Sequence, residues 1–220
     1  MENINLIDNK IDNFQIKTKE RVRDLGEVYT NEREVKAMMD LLGDTGYQIS
    51  ARFLEPSCGN GNFLQEILDR KLSKVATASS SSTLKGFEYN IIKAVSSIYG
   101  VDICIDNVLE SRERLFNIIK NFYSYNKNTN IASDGFYESV KYILSKNIIL
   151  GDFINGEDKL LFSEFTNKRN FGKYSLVEKV FNIEQIKSDS PEPLRIYEPR
   201  EYTELYYNTS KEVSLWLSTK

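Results

Sequence analysis

The run Phe53-Leu54-Glu55-Pro56-Ser57-Cys58-Gly59-Asn60-Gly61-Asn62-Phe63-Leu64 carries the residue types and spacing best suited to chemistry in this chain. It reads as a buried strand, a tight turn and the first turn of a helix. A strand–turn–helix of this kind brings backbone N–H groups and a helix N-terminus up to a ligand. Gly59 and Gly61 lack a Cβ, so the backbone there can take unusual dihedrals and lie against a cofactor. Glu55 stands where the strand ends, and a carboxylate there suits a cationic group.

A dinucleotide and S-adenosylmethionine are the two cofactor classes such a turn suggests. The dinucleotide fingerprint needs a third glycine three residues after the second, and Leu64 occupies that position. It also needs an acidic residue about 20 residues further on, where this chain has Ala76-Thr77-Ala78 followed by serines. A ligand with an ammonium and a sulfonium suits the Glu55-Pro56 lead-in better.

The elements that must position these residues alternate in type. Residues 1–25 are polar and predict an exposed helix or arm. Residues 31–42 predict an amphipathic helix, capped by Thr30 or Asn31, with Val35, Met38, Met39 and Leu42 as its core stripe. Strands are expected over 51–56, 97–103 and 147–153, with helices over 60–72, 87–97, 105–122 and 135–145. The small, polar run around Ser79–Ser82 predicts a flexible surface loop over 73–85, and 125–134 a second loop. Strands alternating with helices imply a parallel sheet in an α/β layered fold. Beyond 155 the pattern weakens. A fourth strand is expected near 173–180, an extended proline-containing stretch over 188–199, and a closing hairpin from 200–208 and 211–218.

Asp102 and Asp152 each follow an apolar strand and open a connection. In open α/β sheets ligands bind beyond the carboxyl ends of the strands, so Glu55, Asp102 and Asp152 are expected to converge there. Each aspartate alone is more simply a cap or turn residue; the series of three is harder to dismiss.

In this order the blocks resemble the S-adenosylmethionine-dependent adenine-N6 DNA methyltransferases of restriction–modification systems, including Type I modification subunits. The resemblance covers about residues 21–155. It rests on Leu25-Gly26-Glu27-Val28-Tyr29-Thr30, on Leu54 to Leu64, on Tyr99-Gly100-Val101-Asp102-Ile103 followed by Arg112 and Arg114, and on Asn147 to Phe153. It implies a Rossmann-like methyltransferase fold, incomplete here, with an N-terminal helical segment. That segment would occupy 1–45 and carry the upstream cofactor block, with the cofactor-binding core over 46–185 and a C-terminal loop and hairpin over 186–220. It further implies that Thr30 binds the cofactor carboxylate with Tyr29 packed near it. Glu55, Gly59 and Gly61 would line the methionine part, Asp102 would take the ribose, and Asp152 with Phe153 would hold the adenine. Asn62 and Phe63 would support them.

The family's catalytic Asn/Asp-Pro-Pro-Tyr/Phe motif has no counterpart, since the sequence contains no Pro-Pro pair. Asp189-Ser190-Pro191-Glu192-Pro193 and Tyr197-Glu198-Pro199 come nearest, and neither is assigned a catalytic role. The expected function is methyl transfer to the adenine exocyclic amine of DNA, as an enzyme or as a modification subunit completed by a recognition or catalytic partner chain. The alternative is a non-catalytic S-adenosylmethionine-binding partner or regulatory module in a DNA-modification or phage-defence system. A methyltransferase acting on protein, RNA or a small molecule is the third reading.

Bulk composition narrows these. The chain of 220 residues allows one large or two small domains, and 40% hydrophobic residues suffice for a sizeable core. A net charge of −3 supplies no global basic field for nucleic acid, so DNA binding by the chain alone is expected to be weak and salt-sensitive. Phe165 to Tyr174 and Lys120 to Lys127 nevertheless interleave basic and aromatic residues, a pattern that suits phosphates and stacked bases but more often marks a solvated loop. Histidine is absent, which removes every His-dependent triad and metal site, and no metal is expected. Cys58 and Cys104 form no disulfide framework, which suits a reducing cytoplasm. No apolar run approaches membrane-spanning length, so no membrane partner is expected.

Overall fold

Three apolar runs form a parallel sheet in the order β1-β2-β3: β1 (Phe53–Glu55), β2 (Ile98–Asp102) and β3 (Ile148–Leu150). The computed structural model describes residues 17–25, 27–127, 131–156 and 159–207. Each crossover between these strands uses two helices: α3 (Asn62–Thr77) and α4 (Leu84–Val95), then α5 (Ile105–Lys127) and α6 (Phe136–Asn147). Ahead of them lie α1 (Lys19–Leu25) and α2 (Glu32–Asp40). The expected arm thus contains α1, and residues 1–16 lie outside the described part.

A second, antiparallel sheet follows, built from β4 (Leu161–Asn167), β5 (Ser175–Asn182), β6 (Arg195–Ile196) and β7 (Arg200–Glu201), with α7 (Ile183–Lys187) after β5. The fold is therefore mixed α/β. Every residue of β2 is buried, as a strand covered on both faces must be. Ile98 joins the helix-side core, while Tyr99 and Val101 pack with Leu160, Phe162 and Ile183 on the other face. Gly100 lets α3 approach: a Cβ there would stand 2.8 Å from Leu64 and 3.1 Å from the Cys58 Sγ.

The structure corrects several sequence expectations. In α2 only Val35 and Met39 are buried; Met38 and Leu42 of the expected stripe are exposed, because the helix meets its neighbours along one narrow side. Residues 73–85 are not a flexible loop. α3 runs on to Thr77, and Ser79–Ser82 forms a short 3-10 turn whose Ser80 and Ser81 hydroxyls accept from Asn90 Nδ2 at 2.7 and 2.9 Å. α5 likewise runs on to Lys127, where Phe122 stacks on Phe87 at 5.6 Å and Lys127 lies over the Phe87 ring at 4.1 Å. The basic–aromatic run 120–127 thus belongs to a helix whose Phe122 and Tyr123 rings pack inward, while Tyr125 is exposed. β7 pairs with β5, and the second arm of the expected closing hairpin, 211–218, lies outside the described residues. Tyr202 and Leu205 of the expected C-terminal segment sit in the main core.

Buried polar groups join the layers. The Glu178 carboxylate, 1% exposed, accepts from Tyr142, Ser163 and Arg200 at 2.7, 2.7 and 2.8 Å. Glu88, fully buried, accepts from Tyr123, Tyr202 and the Ser133 N–H. Lys71 on α3 is fully buried, and its Nζ donates to the Gln48, Ile49 and Ala51 carbonyls at 3.1, 3.1 and 2.5 Å. Ser97 Oγ lies 2.8 Å away, so one ammonium ties the approaches to β1 and β2 together. Among the described residues no helix is long and apolar enough to cross a membrane.

Candidate functional site

β1 and β2 end side by side, at Glu55 and Asp102. From Glu55 the chain turns back through Gly59 (φ +52°) and Gly61 (φ +92°), both in the left-handed region that glycine enters without a steric penalty. Two backbone bonds shape this turn: Cys58 N–H to Val101 O and Gly61 N–H to Cys58 O, each 2.9 Å. Gly61 then opens α3.

Asp102 stitches the two strand ends together. Its Oδ2 accepts from the Gly59 N–H at 2.8 Å, and its Oδ1 from the Cys104 N–H at 2.9 Å and from Asn107 Nδ2 at 3.1 Å. Two oxygens with two lone pairs each can accept four bonds, so one acceptor position remains after these three.

The segment before α2 closes the site from the other side. The Tyr29 ring packs on Gly59, where a Cβ would lie 3.1 Å from Cε1. The Tyr29 hydroxyl reaches Glu27 Oε1 at 2.9 Å and Asn107 Oδ1 at 3.0 Å. Asn62 holds this segment in place: its Nδ2 donates to Thr30 O at 3.1 Å while its Oδ1 accepts from Arg114 at 2.6 Å. The supporting role expected of Asn62 thus has a physical form.

Between these parts lies a cavity of about 180 Å3 whose lining includes Glu27, Tyr29, Thr30, Glu55, Gly59 and Asp102, with Asn60, Asn62, Phe63, Ile103 and Asn107 also on its wall. Three carboxylates face it and no lysine or arginine lines it. Burial pushes the Glu55 carboxyl above the ordinary glutamate value, against a backbone hydrogen bond from Ser57. At Glu27 burial also opposes the charge, but hydrogen bonds from Asn107, Tyr29 and Arg21 outweigh it and hold the group below its ordinary value. Asn60 Nδ2 donates to Glu110 at 3.2 Å, while its Oδ1 is buried with no hydrogen-bond partner. The wall is thus rich in acceptors and suits a ligand that brings N–H or O–H donors and positive charge.

α1 is pinned beside this cavity by charge. Arg21 binds Glu27 and Asp106, and Lys17 binds Asp106 at 3.0 Å and Glu110 at 2.9 Å. The Arg21 guanidinium, helped by Lys17, holds the Asp106 carboxyl down at about 2.

The structure gathers Tyr29, Thr30, Glu55, Gly59 and Asp102 at one cavity. Gly61 shapes the turn without lining the wall. Asp152 and Phe153 are not brought there. β3 ends at Leu150, and the Asp152 carboxylate turns back on its own loop to accept from Ile154 N–H, Asn155 N–H and Asn155 Nδ2, each at 2.9 Å. Phe153 packs with the cluster around Tyr99 and Phe162 on the opposite face of the sheet. Arg112 braces β3 by donating to Ile148 O and Ser145 O at 2.8 and 3.0 Å. Neither proline-containing stretch lines the cavity; Pro191 instead borders a separate apolar hollow of about 280 Å3 beside Phe53 and Leu54. Sequence reasoning missed Glu27 and Asn107 as site residues. Glu27 stood inside a block already singled out, but nothing in the sequence marked Asn107.

Gly61→Ala is expected to destabilise the fold by about 2–4 kcal/mol, the combined scale of left-handed strain and local overpacking. An added Cβ would stand 2.6 Å from Ser111 Oγ at φ +92°. Denaturant unfolding measures this; an unchanged midpoint would show that the turn relaxes freely.

The chain matches no protein-family model, no curated protein and no solved structure.

Proposed function

We propose that this chain binds S-adenosylmethionine at the cavity between Glu55 and Asp102, on an incomplete Rossmann-like methyltransferase core. In this reading it serves adenine-N6 methylation of DNA, as an enzyme or as a modification subunit of a restriction–modification system. One observation carries the cofactor class. A glycine turn at the carboxyl ends of parallel strands opens onto a wall with Glu27, Glu55 and Asp102 and no lining cation. A phosphate-bearing dinucleotide would meet three like charges there, whereas an ammonium and a sulfonium meet opposite ones.

In this reading Glu55 and the unpartnered Asn60 Oδ1 accept from the ammonium, and the remaining acceptor position of Asp102 takes a ribose hydroxyl. Thr30 serves the methionine carboxylate. Ile103, 57% exposed at the mouth, offers apolar surface to the adenine ring. The cavity is smaller than the usual range of about 300–1,000 Å3 for small-molecule sites, so the nucleoside would extend along that mouth. When bound, the cofactor supplies an electrophilic methyl group. The adenine-N6 specificity rests on the resemblance of the ordered sequence blocks.

The second reading, a non-catalytic S-adenosylmethionine-binding partner of a DNA-modification or phage-defence system, is favoured by two observations. Neither proline-containing stretch reaches the cavity, and the outer edge of β1 has no strand partner among the described residues. Both leave the catalytic part to a second chain.

Titration calorimetry with S-adenosylmethionine tests the shared claim. Saturable binding is expected, and its affinity should fall as pH is lowered. The sign follows from Glu55: its raised pKa means the carboxylate that attracts the cation is lost on acidification at a pH above the ordinary value of about 4.3. Glu55→Gln should flatten that dependence. Absence of binding at neutral pH would overturn the cofactor reading.

A further inference from the structure

The sequence pattern 165–174 finds a place that the cofactor reading does not use. β4 and β5 run past the parallel sheet, and the connection between them folds against the start of α4. Between them lies a cavity of about 600 Å3, which shares no lining residue with the cofactor cavity. Its wall includes Lys93, Lys173, Ser80 and the rings of Tyr89 and Tyr174, and no carboxylate. In a chain of net charge −3 that is a local reversal of sign.

Neither lysine is in an ion pair among the described residues. Lys93 Nζ lies 5.2 Å from the centre of the Tyr89 ring, and Lys173 Nζ lies 5.3 Å from that of Tyr174. Each aromatic ring thus orients an ammonium without neutralising it, since a ring quadrupole carries no net charge. Burial lowers the Lys93 pKa, a cost that an anion in the cavity would relieve. Beside the cavity the connection presents Phe171, 64% exposed, between Lys168 and Lys173. Phe171 N–H donates to Lys168 O at 2.9 Å, so a one-turn 3-10 helix holds the ring out rather than leaving it on a slack loop.

We propose that this face anchors single-stranded nucleic acid, with a backbone phosphate held between Lys93 and Lys173 and a base stacked on Phe171. Unpaired ammoniums with an exposed ring beside them are the combination that binds single strands without reading sequence. A duplex buries its base faces and would leave Phe171 unused. The proposal does not rest on the cofactor reading.

The test is anisotropy of a short fluorescein-labelled oligothymidylate titrated with the full chain. Saturable binding is expected. One phosphate neutralised between the two lysines predicts a loss of about 2.6-fold in affinity between about 50 and 200 mM salt, at roughly 0.7 logarithmic units per phosphate. Lys93→Ala with Lys173→Ala should remove most of that salt dependence. Phe171→Ala should weaken binding at least about fivefold at every salt concentration. Lys173 and Phe171 are exposed and Lys93 is half-buried, so thermal unfolding of each variant is compared with that of the parent chain, and Lys173→Ala alone gives the readout if the Lys93 change lowers the melting point. Asp102→Asn should bind the oligonucleotide like the parent chain, which separates this site from the cofactor site. Absence of binding, or binding untouched by the lysine and phenylalanine changes, overturns the proposal. Equal competition by a duplex, or displacement by low-millimolar inorganic phosphate, would overturn it in favour of a general anion site.

Discussion

Asp102→Asn is expected to weaken S-adenosylmethionine binding by about 10- to 100-fold, the range of a charge-assisted hydrogen bond lost from a buried site. Asp102 is 6% exposed and spends three of its four acceptor positions on Gly59, Cys104 and Asn107. The fourth is available to a ribose hydroxyl. An asparagine amide keeps one oxygen and turns an NH2 toward a donor already in place, on either the Gly59 or the Cys104 side. That mismatch costs about 1–3 kcal/mol of stability. At about 2–4 °C per kcal/mol for a chain of this size, melting should fall by roughly 2–12 °C. In the proposed reading the same residue would carry a structural and a ligand role, and calorimetry below the variant's melting transition separates them. Unchanged affinity in a folded variant would remove Asp102 from the ligand site and leave it as a clamp between two strand ends.

Lys71→Met is the larger stability prediction. The methylene stem can be replaced almost isosterically, so the loss concentrates at Nζ. The carbonyls of Gln48, Ile49 and Ala51 would each lose the Lys71 donor, and of the three Gln48 O keeps the Ala51 N–H and Ile49 O keeps the Ser97 hydroxyl, so Ala51 O is the one left unsatisfied. At about 1–3 kcal/mol for the one unsatisfied carbonyl and roughly 0.5 kcal/mol for each of the two that keep another donor, the expected loss is about 2–4 kcal/mol. Because residues 48–51 lead directly into β1, the Glu55 end of the cavity between Glu55 and Asp102 should loosen with them.

The pH dependence gives an independent readout. The carbonyl dipoles favour the ammonium, but burial outweighs them and brings the Lys71 pKa down to about 7. Unfolded lysine titrates near 10.4. Between those values the unfolded chain holds the proton and the folded chain has shed it, so stability from this group grows as pH rises above 7 and is lost as pH falls through it. Lys71→Met should remove that rise. Identical pH slopes in parent and variant would show that the amine stays charged in the fold.

The parts of the fold that could be read in advance were those where local chemistry and final position agree. Ile98 to Asp102 is apolar to its last residue and becomes a strand buried on both faces. Asn31 caps α2, and its side chain accepts from Arg33 N–H at 3.0 Å. The turn through Gly59 and Gly61 needs left-handed backbone, and glycine announces that need. β4 was hidden because both of its faces are buried, Phe162 on one and Ser163 on the other, and β5 answers Ser163 with a buried Glu178. Polar residues matched across a sheet interrupt the apolar alternation that identifies strands.

The residues themselves marked a glycine turn between a strand and a helix, three acidic strand ends expected to meet, and an upstream Tyr29-Thr30 block tied to the cofactor by resemblance alone. Those features are local, because propensity, capping and backbone conformation act over a few residues. Tertiary structure alone decided which groups share the cavity. It brought Asn107 to Glu27 and Tyr29 across about 80 residues of chain, turned Asp152 back onto its own loop, and buried Lys71 beneath β1. The reason is physical: a carboxylate at a strand end satisfies either its own turn or a distant donor. Which of these wins depends on where the neighbouring strand stops. β3 stops two residues before Asp152, whereas β2 runs to Asp102 itself.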